Sequence, residues 1–338
     1  MLRLDAAFRL LPISSGSLVL VGANEKLPIS SGSLVLVSAN EKLRRAAALH
    51  NTRVKPKRFY IGAFSLLALL LAVFFGLRLL EHAMTYHPVP FSDSDTAWDY
   101  PLNHPSNAED VWFTNAEGTR LHGWFFHSKR APAHATVLHC HGNGGNLTNV
   151  RWFAEMLAER GFNTLIWDYR GYGRSGGKIT DEWGLYADGT AAYEWLARER
   201  GVKPEHLILY GQSLGSTVAI DLATRKPAAA LVIESGLSSA SAMASSSLPW
   251  LPRWLHRIGK NRFESARKLA TINLPVFIAH GTADEVVPLA QSQTNFAAAH
   301  EPKEYFVVEG GTHNLFGQHH AVLLERMTAF LEKNVRLR

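Results

Sequence analysis

A short apolar run, Leu207-Ile208-Leu209-Tyr210, leads into Gly211-Gln212-Ser213-Leu214-Gly215, and a helix-like stretch from Ser216 to Arg225 follows. An apolar run of this length, bounded by turn residues, reads as a buried strand. Strand, G-x-S-x-G and helix in that order demand a sharp turn that lifts a serine hydroxyl clear of a sheet edge. The flanking glycines let two backbones pass where a Cβ would clash. The pattern is weak alone, so its meaning depends on what the rest of the chain supplies.

A serine hydroxyl is a poor nucleophile until a base takes its proton, and a third group must hold that base. Behind an elbow of this kind the partners follow in the order acid, then histidine. Pro275 to Gly281 reads as a buried strand, and Thr282-Ala283-Asp284-Glu285 comes just beyond it. Asp284 is favoured as the acid, because a turn at a strand end aims its carboxylate along the sheet edge. Glu285 and Glu234 are the alternatives, and Asp284 also suits a helix N-cap before the segment that starts at Pro288. Glu304 to Val308, a further strand-like run, opens into Glu309-Gly310-Gly311-Thr312-His313-Asn314. His313 is therefore expected on a loop, free to reach Ser213, whereas His319 and His320 fall within the final helix.

Attack on an acyl carbonyl develops a negative oxygen, which preorganised N–H groups stabilise. One such amide is expected from Leu214, directly after the nucleophile. The other is expected from Asn143, in the glycine-rich turn His141-Gly142-Asn143-Gly144-Gly145-Asn146 that follows the apolar run at Val137.

That turn, the segment Asp168-Tyr169-Arg170-Gly171-Tyr172-Gly173-Arg174-Ser175, the elbow, Asp284 and His313 together resemble the α/β-hydrolase superfamily. Within it, the chain is most similar to membrane-anchored serine hydrolases of the bud-emergence and abhydrolase-domain type. The resemblance runs from about Asp110 to Lys333. It implies an α/β fold with about eight strands in a mostly parallel sheet, helices on both faces and a short lid. It also implies ester or thioester hydrolysis without a cofactor or metal.

The residue pattern points the same way. Val111 to Phe126 reads as a hairpin about Asn115-Ala116-Glu117-Gly118. Beyond it, strand-like runs near Thr136, Leu165, Leu207, Leu231, Phe277 and Phe306 alternate with helix-like segments, the signature of a parallel, doubly wound sheet. Catalytic residues then belong outside the carboxyl ends of the strands. Arg170 and Arg174 read as structural members of the rim.

Ahead of this domain, Phe59 to Leu77 is nineteen residues without a charge. That is long enough to cross a bilayer as a helix. Seven Lys or Arg lie between Lys42 and Arg58, against Arg78 alone in a similar window after the span. The positive-inside rule places the N-terminus in the cytoplasm and the hydrolase domain on the other side. A cleaved signal peptide is the alternative, but the run is long for one and no small-x-small site is obvious after it. An uncleaved anchor at about 59–80 is expected, then a linker at 81–109 and the hydrolase domain at 110–338, with its lid at about 235–273.

The formal charge of +6 does not indicate nucleic-acid binding. Residues 1–58 hold ten basic and three acidic side chains, and the remainder is close to neutral. The excess suits topology and anionic headgroups. Within the leader, Leu11 to Lys26 and Leu27 to Lys42 are a tandem repeat that differs only at Gly22 and Ser38. Two copies cannot stack into a solenoid, which needs at least three units. Each copy reads Leu-Val-Leu-Val after a Ser-Gly turn, which leaves isolated strands or disorder as the options. The expectation is a disordered leader without function, translated from upstream of a true start near Val54. Finding peptides from residues 1–50 by mass spectrometry of the native protein refutes it. The single cysteine, Cys140, allows no intramolecular disulfide. Strand alternation sends it to the opposite face from His139 and His141, which argues against a metal site.

Between Glu234 and Pro275 lies the place for a lid. Ser235 to Ser247 reads as pliable, and Leu251, Trp254, Leu255 and Ile258 recur at helical spacing, so a short amphipathic helix is expected there. The substrate is expected to be a small acyl ester, a lipid or an acylated protein. A serine aminopeptidase is the second reading, and it lacks an acidic residue in Ser235 to Leu251 to capture an amine. The third, an anchored scaffold with a dead site, is disfavoured by the complete set Ser213, Asp284 and His313.

Overall fold

The computed structural model describes Phe8–Ile13, Ser17–Gly22 and residues 56–337 apart from Asp93, Ser106, Arg253 and Ile258. Its residues fall into two compact units, 1–72 and 73–338. In the first, strands β1 (Phe8–Ile13) and β2 (Ser17–Gly22) pair antiparallel, with Leu10 in register with Leu20. The leader was expected to be disordered; within it this hairpin forms, and the second repeat lies outside the described residues. Helix α1 runs Pro56–Thr85 and contains one stretch, Tyr60–Thr85, long and apolar enough to cross a membrane.

Six parallel strands hold the centre of the second unit, because apolar runs that fit no amphipathic period must be covered on both faces. Antiparallel β3 (Ala108–Thr114) and β4 (Arg120–Phe126) form the expected hairpin around Asn115. Then come β5 (Ala135–Cys140), β6 (Phe162–Trp167), β7 (Leu207–Gln212), β8 (Ala230–Glu234), β9 (Val276–Gly281) and β10 (Lys303–Val308). The sheet order is β10-β9-β8-β7-β5-β6-β4-β3.

Alternation along the strands divides the core. Leu138, Cys140, Leu209, Ile233 and Ile278 pack on one face, against Leu185 and Val218. Val137, Ile208, Val232 and Phe277 pack on the other, against Phe153, Leu324 and Phe330. His139 joins the second group, its ring stacked 4.3 Å from that of Phe153. Burial there pushes its pKa down to about 3. Cys140 faces away from it, as expected, and burial pushes its thiol up.

Register determines where the loops emerge. Cys140 lies beside Gly211, Gln212 beside Glu234, Glu234 beside Ala279, and Gly281 beside Val308. Every strand end that precedes a candidate functional residue is thus level with its neighbours at one edge.

The lid departs from expectation. The segment read as pliable contains a helix, Ala240–Ser247, whose first turn is capped by Ser239 Oγ accepting from the Ala242 N–H at 3.1 Å. The segment read as a helix has, among the described residues, a single 3-10 turn, Leu255–Arg257. Pro249 and Pro252 bar their predecessors Leu248 and Leu251 from the helical region, and Gly259 follows too soon for a second turn. Ile258 lies outside the described residues.

Candidate active site

Ser213 sits between β7 and the helix Leu214–Arg225 with φ +51°, a left-handed backbone value uncommon for a residue with a side chain. The turn can close this tightly because Gly211 and Gly215, two residues to either side, have no Cβ. One added to Gly215 would lie 2.0 Å from the Cys140 carbonyl oxygen, and one on Gly211 2.5 Å from Ser216 Cα.

The loops after β9 and β10 bring the partners. The Ser213 hydroxyl lies 3.0 Å from His313 Nε2, and His313 Nδ1 lies 2.9 and 3.0 Å from the two Asp284 oxygens. A carboxylate at Nδ1 keeps the proton on that nitrogen and leaves Nε2 free to accept from serine. The structure brings these three expected residues together. Glu285 only accepts from the His313 backbone N–H at 3.3 Å, while Glu234 points elsewhere.

Asp284 is held tightly. Its Oδ1 accepts from the Val286 and Val287 amides at 2.9 and 2.8 Å, and buried His280 lies 3.2 Å from Oδ2. Burial alone would raise its pKa. The bonds from His280, His313 and Val287 outweigh it and hold the carboxyl well below the usual range. His280 is a partner that sequence reasoning missed. The signal was there, since alternation puts His280 next to the acid's turn within an otherwise apolar strand.

Glu234 has a different role from the one considered for it. Its carboxylate accepts from Tyr210 OH at 2.5 Å, Gln212 Nε2 at 3.3 Å and the Phe316 amide at 3.0 Å. Its carbonyl accepts from the Ser213 amide at 2.9 Å, and Ser235 Oγ donates to the His313 carbonyl at 3.1 Å. The last residue of β8 and the one after it thus tie the serine turn to the histidine loop. Burial pushes the Glu234 carboxyl up against the lowering effect of these bonds and of His313.

The glycine-rich turn after β5 closes over the serine. A Cβ on Gly142 would lie 3.6 Å from Ser213 Cβ. Asn143 is fixed by Tyr172 OH, which donates to its carbonyl at 2.9 Å and to its Oδ1 at 2.8 Å, and by the His87 amide at 2.9 Å. Those bonds use its carbonyl and side chain; its backbone amide enters no hydrogen bond among the described residues. The Leu214 amide opens a helix, where a first-turn N–H has no intrahelical partner. Tyr169 OH donates to the His141 carbonyl at 2.8 Å, so the Asp168-to-Ser175 turn buttresses this loop. Arg170 is structural, as expected: its guanidinium binds buried Asp188 at 2.8 Å and Glu117 at 2.7 Å. Arg174 lies over the rings of Phe91 and Trp98.

A cavity of about 640 Å3 opens above Ser213 and His313. No group of three or more His, Cys, Asp or Glu side chains placed to hold a metal ion occurs among the described residues.

Comparison with known proteins agrees with this architecture. Residues 131–268 match a family model described as serine aminopeptidase, S33. An uncharacterized Mycobacterium tuberculosis protein is 38% identical over 205 residues, which is 61% of this chain and 72% of that one. Human α/β hydrolase domain-containing protein 17B is 33% identical over 242 residues, 70% of this chain and 80% of its own. An esterase of Pyrococcus furiosus superposes with a TM-score of 0.58 at 22% identity, over 74% of this chain and 98% of the esterase. Sheet order, elbow and relatives together define an α/β hydrolase. The chain belongs to the α/β-hydrolase superfamily.

Proposed function

We propose that this protein is a membrane-anchored serine hydrolase that cleaves carboxylic esters or thioesters through an acyl-enzyme. The observation that carries this reading is the continuous hydrogen-bonded line from Ser213 Oγ through His313 to Asp284. Ser213 Oγ attacks the acyl carbonyl as His313 Nε2 takes its proton. The Asn143 and Leu214 amides receive the developing oxyanion. His313 returns the proton to the leaving alcohol or thiol, then activates the water that frees the acid. Asp284 keeps His313 in the required tautomer throughout. The esterase named among the similar structures supports the same chemistry.

The family description raises an aminopeptidase as the second reading. Capture of a substrate ammonium needs an unengaged carboxylate in the cavity. Glu81 is the one carboxylate among the described lining residues, and it already accepts from the Lys260 and Asn261 amides, each at 2.8 Å. Ester cleavage therefore fits better. The anchor is assigned to Tyr60–Thr85, with the basic flank before it in the cytoplasm and the hydrolase domain across the membrane.

The test is labelling by a fluorophosphonate probe of the full chain in detergent, beside Ser213→Ala. Labelling lost in the variant, together with turnover of 4-nitrophenyl acetate and none of aminoacyl coumarins, supports the reading. Absence of labelling in the folded protein refutes it.

A further inference from the structure

The wall of the cavity above Ser213 is made in part by the apolar helix itself. Phe74, Leu77, Leu80 and Met84 line it. These positions recur at three- and four-residue spacing, so they share one face of the helix. Phe75 and Leu79 lie on another face and are 61% and 72% exposed. Met243, Leu248 and Leu251 of the lid line the same cavity. The helix is fixed in this position. Glu81 accepts from the Lys260 and Asn261 amides at the lid's exit, and Tyr86 OH donates to Asn261 Oδ1 at 2.7 Å.

All four wall residues belong to the candidate membrane span, Tyr60–Thr85, 26 residues long. About 20 helical residues cross the hydrocarbon core of a bilayer. Counted from Tyr60, the hydrocarbon ends near Leu79, and Leu80 and Met84 emerge at headgroup level. The cavity wall thus straddles the boundary at which lipid ester groups lie. A second feature lies on the lid that lines the same cavity. Trp250, on the cavity lining, is 76% exposed, and Trp254 is 65% exposed. Exposed tryptophans are characteristic of the membrane–water interface.

We propose that Ser213 takes its acyl group from a bilayer lipid ester, whose fatty chain enters the cavity along Phe74, Leu77, Leu80 and Met84. The anchor helix is then one wall of the acyl site as well as a tether. This rests on the serine-hydrolase reading for its chemistry. The bond from Ser213 Oγ to the acyl carbon forms, the lipid ester C–O bond breaks, and the lipid alcohol leaves with the proton carried by His313. Water then releases the fatty acid and restores the serine. A chain already in hydrocarbon passes between two apolar media, so entry from the bilayer carries no penalty for length. For a soluble ester, each methylene drawn from water into the cavity raises kcat/KM about fourfold.

Two experiments on the full chain test this. Ser213→Ala protein in phosphatidylcholine vesicles is irradiated with a phosphatidylcholine carrying a diazirine in its fatty chain, and adducts are mapped by mass spectrometry. Adducts on residues 74–84 and 243–251 are expected; adducts confined to the other helix face, with none on the lid, overturn the proposal. In detergent, a 4-nitrophenyl ester series from two to ten carbons should steepen about fourfold per carbon. Leu77→Trp should cut the preference for ten over two carbons at least tenfold, and Phe75→Trp should leave the series unchanged. A flat series, or one indifferent to Leu77→Trp, overturns the acyl wall while the hydrolase reading stands. Lid adducts without any ester turnover have the opposite meaning: the lipid site stands and the hydrolase reading falls. A palmitoyl-thioester peptide cleaved in vesicles whose phosphatidylcholine is left intact overturns the choice of lipid.

Discussion

Changing Asp284 to Asn gives the sharpest test of the hydrogen-bonded line. Asp284 Oδ1 accepts from the Val286 and Val287 amides at 2.9 and 2.8 Å, and an amide oxygen there keeps both bonds. The new NH2 group then occupies the Oδ2 position, 2.9 Å from His313 Nδ1 and 3.2 Å from His280 Nε2. A donor facing Nδ1 favours the imidazole tautomer with its proton on Nε2. That nitrogen lies 3.0 Å from Ser213 Oγ and can no longer accept the serine proton. The fold should survive while the base is disabled. The same exchange in a serine triad of another fold lowers kcat about 10,000-fold, or about 5 kcal/mol in the barrier. The assay is kcat on 4-nitrophenyl acetate together with the rate of fluorophosphonate labelling, with circular dichroism confirming the fold. Glu285→Gln, which touches only the His313 backbone, should cost less than about threefold. A loss below about tenfold for Asp284→Asn, or a larger loss for Glu285→Gln, refutes the assignment of the acid.

Gly215→Ala puts a methyl group 2.0 Å from the Cys140 carbonyl oxygen and should destabilise the domain by about 4 kcal/mol or more, seen as a collapse of the thermal midpoint. Tyr172→Phe removes both hydroxyl bonds to Asn143, so kcat should fall about tenfold at unchanged stability; equal loss in thermal midpoint and activity would contradict this. Arg170→Met leaves buried Asp188 without its charged partner and should cost about 3–5 kcal/mol in a urea titration. The two site carboxyls should act on stability with opposite signs. Glu234 is raised in the fold, so its contribution is complete below the ordinary carboxylate range and is lost as pH climbs through its higher folded pKa. Asp284 is lowered, so its contribution is present above that range and is lost on acidification through its folded pKa. Glu234→Gln should therefore flatten the decline in thermal midpoint above the ordinary carboxylate range and leave the acid limb in place.

Ser213, Asp284 and His313 were legible because each stands just past an apolar run, and parallel strands in register bring such positions to one edge. The sheet was legible for the same reason. The groups that hold the site were less so. His280, Tyr172 and Glu234 act through partners that the fold brings from far along the chain, and neither Asn143 nor Phe316 gives a local sign of them. The lid was misread because its Ala- and Ser-rich stretch has little hydrophobic period, yet Ser239 supplies a cap that starts a helix. Helical spacing farther on was cancelled by Pro249, Pro252 and Gly259. The bond between Glu81 and the Lys260–Asn261 backbone spans about 180 residues and joins segments that read as unrelated.

The ties made by Glu234 and Ser235 bear on how such a protein can diversify. They close the arrangement of Ser213 and His313 before the chain leaves at Gly236 on its excursion to Pro275. Its return leg is anchored, with Phe263, Leu269 and Ile272 in the core, so a change confined to its outer part, about 240–259, lengthens a detour and pulls on neither group. That outer part can be exchanged as a cassette, with new walls for new substrates, while the reacting atoms keep their spacing.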